Sequence, residues 1–376
     1  MNTPEKLYEL KSAPAVFAVG NKYQIMVMAR SELLFWVTVD GKNYYDHSNG
    51  VIRSKEVIHR VSVPMSALDS AKEYTINYRR MIERKPYFSD TEDVVSKTYP
   101  FKPVSTKGPI RIYHLSDTHG KFEQPAKAGQ YFGDDIDLLI LNGDIMDHSG
   151  DIKNFDLVYQ LAEAITGGSR PVVFSRGNHD TRGIYAEKIA DYTPNLHGNS
   201  YYTFRLGRLW GLVLDTGEDK PDNHAEYGNT MACHEFRLEE DEFIESVIRE
   251  REYKDKGIDY RLVIVHNPFT YTIGAPFDIE QELFGRWVKR IGETIDPQLY
   301  ITGHLHGTLV SKIGGKLDSK GQTCPVIVGS RYYKNEEKRH VHVGCAITLD
   351  GLKADVTFND NFGQIHTSSE TVELKK

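Results

Sequence analysis

From Arg111 onward, short apolar runs alternate with amphipathic stretches, and five of the runs end in a cluster of histidine, aspartate or asparagine. RIYHLS leads into Asp117 and His119, DLLILN into Asp144, PVVFS into Asn178 and His179, RLVIV into His266, and QLYIT into His304 and His306. A continuous apolar run of this length suits a strand buried on both faces, as in a parallel sheet covered by helices. LWGLVLD is a further run of the same kind. In such sheets the loops beyond the carboxyl ends of the strands converge, so residues far apart in sequence can build one site. This pattern restricts the segment to a mixed α/β fold with its chemistry along one sheet edge.

The stretches between the runs read as helices. Asp151 is placed to cap one whose apolar positions Phe155, Val158, Leu161, Ala162 and Ile165 fall on one face, with Gly167 and Gly168 ending it. A second is expected over ~238–253 and a third over ~280–292, the latter with Leu283, Phe284, Trp287, Val288 and Ile291 on one side. After His306 the chain turns β-rich again in PVIVGS, HVGCAITL, LKADVTF and HTSSETVEL.

Residues ~12–103 read as all-β. The runs YQIMVMA, LLFWVTV, HRVSVPM, YTINYRR and KTYPF are separated by turn signals such as DGKN and SNG. Leu68 and Tyr74, six apart and followed by Ile76, are similar to the Leu…Tyr pair of the tyrosine corner in fibronectin type III sandwiches. An ordinary core Leu beside an ordinary strand Tyr would look the same. With KPVSTKGP (102–109) as a linker, the expected division is an N-terminal fibronectin-III-like β-sandwich over 1–104 and a catalytic domain over 105–376.

Length and charge narrow the function. A chain of 376 residues has room for two domains. Its formal net charge of −7 supplies no global basic field, so no nucleic-acid partner is expected. The start, MNTPEKLYELKSAPAVFAVG, has no basic region leading into an apolar core, so no signal peptide is expected. No stretch approaches the ~20 apolar residues that cross a bilayer, so no membrane association is expected. Cys233, Cys324 and Cys345 are odd in number and widely spaced, which argues against a disulfide framework or a thiolate metal site and suggests a reducing cytoplasm.

Taken singly, an Asp-x-His or a Gly-Asp after a strand is ordinarily a turn. Taken in order, D-x-H, G-D, G-N-H-D, H and G-H-x-H form a set with a common chemistry. Two metal ions about 3.5–4 Å apart need a bridging carboxylate, and Asp144 is placed to provide it. Imidazole, carboxylate and amide-oxygen donors suit manganese, iron or zinc. Asn178 adds a neutral oxygen, which keeps the site net positive for a phosphate. Water bound there would lose its proton near neutral pH and serve as nucleophile.

This order of motifs, over ~110–306, resembles the calcineurin-like metallophosphoesterase superfamily. The resemblance implies a four-layer α/β/β/α sandwich. It implies one divalent ion on Asp117, His119, Asp144 and His306, and a second on Asp144, Asn178, His266 and His304. His179 matches the family histidine near the leaving-group oxygen, and Asp147 the carboxylate that orients this histidine in protein Ser/Thr phosphatases. The β-sandwich placed before the catalytic half is also similar to purple acid phosphatases. Those carry a Tyr where this chain has Asp147 and usually a Gly where it has His119, so a colourless enzyme is expected. His148 does not match the Arg of protein phosphatases, so the resemblance does not by itself imply protein-phosphatase specificity.

For substrate contacts the candidates are Arg176, Arg182, and His224, Tyr227 and His234 of the long segment 217–236, with Arg331, Tyr332 and Tyr333 as a further rim. The expected function is hydrolysis of a small-molecule phosphomonoester or phosphodiester, with oligomeric state left open. The alternative is a catalytically silent scaffold of the same fold. Such relatives usually lose metal ligands, whereas all seven positions are filled here.

Overall fold

The apolar runs become strands in the computed structural model, which describes residues 9–375; residues 1–8, part of the stretch read for a signal peptide, and Lys376 lie outside the described residues. One sheet of ten strands runs Glu370–Glu373, Lys353–Asp360, His340–Asp350, Ile110–Leu115, Leu138–Asn142, Pro171–Ser175, Ala15–Val19, Lys22–Met28 and Ile58–Pro64, with Arg331–Lys334 also on His340–Asp350. A second, of six, runs Tyr202–Leu206, Leu209–Leu214, Tyr260–Val265, Leu299–Thr302, Val326–Gly329 and Thr308–Ser311. Pairing is parallel from Ile110–Leu115 through Pro171–Ser175, and again from Leu209–Leu214 through Val326–Gly329. The carboxyl ends that carry the five motifs therefore line up within each sheet.

Three cores define the layers. Ile112, Leu138, Ile140 and Val173 of the first sheet meet Leu262, Ile264, Ile301 and Ile327 of the second. The other face of the first sheet packs Leu139, Leu141 and Phe174 on Val158, Leu161 and Ile165 of the helix Asp156–Thr166. The other face of the second packs Trp210, Leu212 and Val263 on Ile244, Val247, Trp287 and Val288 of the helices Cys233–Glu250 and Gln281–Arg290. The order is helix, sheet, sheet, helix, as the resemblance implied. Asp151 accepts the amide of Lys153 at 2.9 Å and opens a 3₁₀ turn that leads into Asp156–Thr166, and Gly167 at φ 57° closes it.

The N-terminal strands depart from a self-contained sandwich. Val16 and Phe17 pair in parallel with Pro171 and Val172, so the sheet runs across the boundary expected at 104. A smaller sheet of Val95–Pro100, Glu73–Glu83, Leu33–Val39 and Lys42–Tyr45 packs its Phe35, Val37 and Ile76 into the core between the two large sheets. Tyr74 also differs from a tyrosine corner. Its hydroxyl donates to the carbonyl of Gly168 at 2.7 Å, far ahead in the chain, and Leu68 lies in a short helix, Met65–Ala71. The pair ties the N-terminal segment to the catalytic half. No helix among the described residues is long and apolar enough to cross a membrane.

Candidate metal centre

Five of the seven candidate ligands leave their strands through the left-handed region: Asp117 (φ 52°), His119 (43°), Asp144 (51°), His304 (64°) and His306 (46°). Residues with a Cβ avoid this conformation at a cost of about 1–3 kcal/mol each, and it persists only where the surroundings hold it. Here the loops hold one another. Asp117 N–H donates to Gly143 O at 3.2 Å, His119 N–H to Asp144 O at 3.0 Å, and Gly303 N–H to His266 O at 2.9 Å. Asp117 Oδ2 accepts the amide of His304 at 3.0 Å, and Asp144 Oδ1 that of His179 at 2.9 Å. Glycines make the approach possible. A Cβ on Gly177 would overlap Asp144 Oδ1, and one on Gly303 would stand 2.9 Å from Asp117 Oδ2.

The donor atoms converge. Asp117, His119 and His306 form one group whose ligand atoms lie within 4.8 Å of one another, and Asp144, His266 and His304 form another. Asp144 Oδ2 stands between them, 3.2 Å from His266 Nε2 and 3.9 Å from His119 Nε2. Asn178 Oδ1 lies 3.1 Å from His304 Nδ1. Asp117 Oδ1 and His266 Nε2 are buried, 3.9 Å apart, and neither makes a well-aligned hydrogen bond among the described residues. Buried polar atoms left in this condition are expensive unless a ligand satisfies them. The donor set therefore fits divalent cations.

The electrostatics agree. His266 Nδ1 faces the carbonyl of Asn142 at 2.7 Å, which presents Nε2 to the cluster. Burial opposes charge on this imidazole, but Asp144 and Asp117 outweigh it and lift its pKa to about 10. A cation at the same place would feel the same pull. Burial works to raise the Asp144 carboxyl, yet His266, His179 and His119 hold it well below the usual carboxylate range. His304 is pushed down to about 4, first by burial and then by His266, which favours the neutral, ligating imidazole.

His179 sits beside this cluster, its ring 4.7 Å from that of His119. Its orientation differs from the expectation placed on Asp147. His179 Nδ1 meets the backbone carbonyl of Asp147 at 3.0 Å, whereas the Asp147 carboxylate, 63% exposed, turns to His119 Nδ1 at 3.4 Å. The hydrogen bond that fixes the ring comes from the main chain.

The expected substrate contacts are otherwise engaged. Arg176 is paired with buried Asp215 and stacked on Phe236 at 4.9 Å. His224 caps the turn Ala225–Tyr227, and His234 pairs with Glu280 at 2.7 Å. Tyr332 and Arg331 lie on the strand Arg331–Lys334, with Arg331 over the Tyr333 ring at 4.7 Å. Arg182 is engaged as well, with Glu218 at 2.6 Å and Glu226 at 3.1 Å, but also brings Nη1 to 3.3 Å from His179 Nε2.

Three acids at the site had no role in the sequence reading, Asp180 among them although it closes the G-N-H-D motif. Glu218 is fully buried against Asn178 and Arg182. Asp219 places Oδ2 3.5 Å from His304 Nε2. Asp180, buried, accepts the amides of Gly177 and Asp144 at 2.8 and 3.2 Å, and burial followed by the Asp144 charge pushes it up to about 8. Glu218 and Asp219 follow the strand Leu209–Leu214, so the rule that located the other motifs applied to them too.

A family model described as calcineurin-like phosphoesterase matches residues 110–308, more than half of the chain. No curated protein matches the sequence. Among solved structures, a purple acid phosphatase, PPD1, from yellow lupin (Lupinus luteus) seeds superposes with a TM-score of 0.60 at 13% identity, over 97% of this chain and 75% of that one. PhoD superposes with a TM-score of 0.56 at 10% identity, over 99% of this chain and 90% of that one. At such identities the likeness is one of fold.

Proposed function

Because the chain belongs to the calcineurin-like phosphoesterase family, we propose that it hydrolyses a phosphate ester of a small molecule, monoester or diester, with two divalent ions of manganese, iron or zinc. The observation that carries the reading is the pair of buried, unsatisfied atoms Asp117 Oδ1 and His266 Nε2 at the centre of seven converging donors. Asp117, His119, Asp144 and His306 would hold one ion, and Asp144, Asn178, His266 and His304 the other. Asp144 is assigned the bridge because its Oδ2 neighbours imidazoles of both groups. When bound, the ions would supply the nucleophile from water and neutralise charge on the phosphoryl oxygens.

The protein's own groups do the rest. Two ligand carboxylates against two divalent ions would leave the ligand set net positive, which suits a phosphate dianion. The other donors, four imidazoles and one amide, add no charge when neutral. His179 is held through Nδ1 by the Asp147 carbonyl, and its Nε2, which faces the Arg182 Nη1 donor at 3.3 Å, is the atom that would carry a proton to the leaving oxygen once that guanidinium turns to the phosphate. A cytoplasmic location is part of the proposal, supported by three free, separately buried cysteines.

The test is a paired assay on chelator-stripped protein refilled with manganese, one arm a nitrophenyl phosphate monoester and the other the matching bis-ester. Turnover of either that depends on manganese supports the reading, and the faster arm gives the ester class. Two bound ions without turnover of either ester would favour the silent scaffold.

A further inference from the structure

Glu218 reaches the site from the loop after Leu209–Leu214 and is fully buried. Its carboxylate takes a two-pronged grip from Arg182, Nε to Oε1 at 2.6 Å and Nη2 to Oε2 at 2.9 Å. Thr181 Oγ donates to Oε1 at 3.2 Å, and Asn178 Nδ2 donates to Oε2 at 3.4 Å. An ionised carboxylate can only accept, so it selects the nitrogen end of the Asn178 amide. The oxygen end must then turn the other way, and it does, standing 3.1 Å from His304 Nδ1. The two ends of an amide are nearly alike in size, so packing alone would not choose between them.

The same carboxylate has a second reach. Gripping Arg182 by Nε and Nη2, it leaves Nη1 to stand between His179 Nε2 at 3.3 Å and the Glu226 carboxylate at 3.1 Å. One buried acid thus touches the side chains of both residues of the Asn178–His179 pair, one directly and one through a guanidinium.

We propose that Glu218 is a positioning residue that turns the Asn178 carbonyl oxygen into the half of the site shared with His266 and His304, and holds Arg182 beside His179. The proposal rests on the dinuclear reading above. It separates from a plain structural role through Glu218→Gln. Arg182 grips both carboxylate oxygens, Oε1 shared with Thr181 and Oε2 with Asn178, and an amide has only one oxygen. In either orientation an N–H of the glutamine opposes a guanidinium N–H, so the two-pronged grip is lost, and the Asn178 nitrogen is left with a neutral acceptor or none. The Asn178 amide then loses the charge that held its oxygen toward the site.

The experiment is manganese titration by calorimetry of the chelator-stripped full chain, wild type beside Glu218→Gln, with folding checked by circular dichroism and melting. The expected result is two ions in wild type. In the variant one ion keeps its affinity and the other binds about 10–100-fold more weakly, as is typical when a group that orients a ligand is lost. Excess manganese should then restore part of the lost kcat. If Glu218→Gln does not fold, Glu218→Asp keeps the charge facing Arg182 but is too short to hold Arg182 and Asn178 together, and it should show the same selective weakening. Two ions in wild type and unchanged affinities in the folded variant would overturn the proposal. Fewer than two ions in wild type would instead overturn the dinuclear reading beneath it.

Discussion

Replacing Asp147 with alanine should leave the acid role of His179 intact. The His179 ring is fixed by a hydrogen bond to the Asp147 carbonyl at 3.0 Å, and that carbonyl survives any side-chain change. What Asp147→Ala removes is a carboxylate, 63% exposed, at 3.4 Å from His119 Nδ1. Exposed contacts of this kind contribute about 0.2–1 kcal/mol. At 1.36 kcal/mol per decade, that is a loss in kcat/KM of less than about fivefold. His179→Ala removes the proton donor itself, and general-acid catalysis is worth about 10²–10⁴-fold where the leaving alkoxide is unstable. The assay compares kcat/KM for an alkyl and a nitrophenyl phosphate ester in wild type and both variants, with manganese saturating. His179→Ala should lose heavily on the alkyl ester and little on the nitrophenyl ester. Asp147→Ala should lose little on both. A large loss on the alkyl ester alone in Asp147→Ala would show that the carboxylate, not the carbonyl, orients the ring.

Three further outcomes test other parts of the site. Asp144→Asn should abolish turnover and leave fewer than two ions by metal analysis, and turnover with two ions retained would exclude the bridging role. Gly177→Ala should push the Asp144 carboxylate aside, because the new methyl overlaps Oδ1. A displacement near 1 Å at a reacting centre costs on the order of 10²-fold, so wild-type kcat in this variant would refute the packing argument. His114, fully buried, is pushed from 6.5 down to about 3 by burial, with His266 and His342 adding to it. Above pH 6.5 both folded and unfolded chains keep it neutral. Below that the unfolded chain takes up a proton the folded one refuses, so stability falls as pH drops toward 3, by up to about 1.4 kcal/mol per pH unit. Denaturant titrations at pH 7, 5.5 and 4.5 in chelator should give a shallower pH slope for His114→Gln than for wild type, and equal slopes would argue against a buried neutral His114.

The ligand set was legible because each of its residues obeys a local rule: an apolar run, then a polar donor within a few positions. His266 directly follows Val265, and Asp144 follows Asn142 by two. Glu218 also obeys it, four positions after Leu214, but its place after a strand does not say what it does. Glu218 matters through Asn178 and Arg182, 40 and 36 positions away, and nothing in GEDK says which donors it will meet. Asp147 is the complementary case. Its side chain matched a family pattern, but the hydrogen bond to His179 belongs to its carbonyl, which every residue type carries. Arg176 and His234 attracted notice by charge, and the acids that occupy them, Asp215 and Glu280, could not be matched to them by sequence spacing.

The N-terminal segment shows the same limit at the level of fold. Leu33–Val39 alternates buried and half-buried residues, as a strand with one solvated face must. Ala15–Val19 is buried throughout, and Lys22–Met28 at every position after the first. A strand with no solvated face cannot lie on the outside of a two-sheet sandwich. It needs cover on both sides, and the catalytic half supplies it. Phe17 packs edge-on to Tyr159 of the helix Asp156–Thr166 with ring centres 6.4 Å apart, and Met26 and Met28 enter the same core. Val16 and Ile25, on the opposite face, enter the core shared with the second sheet. In sequence YQIMVMA and LLFWVTV are both apolar runs, and it is their burial that separates the central strand from the outer one. What the pattern could not name was the partner strand, because a parallel pairing between Val16 and Pro171 leaves no mark on either segment alone.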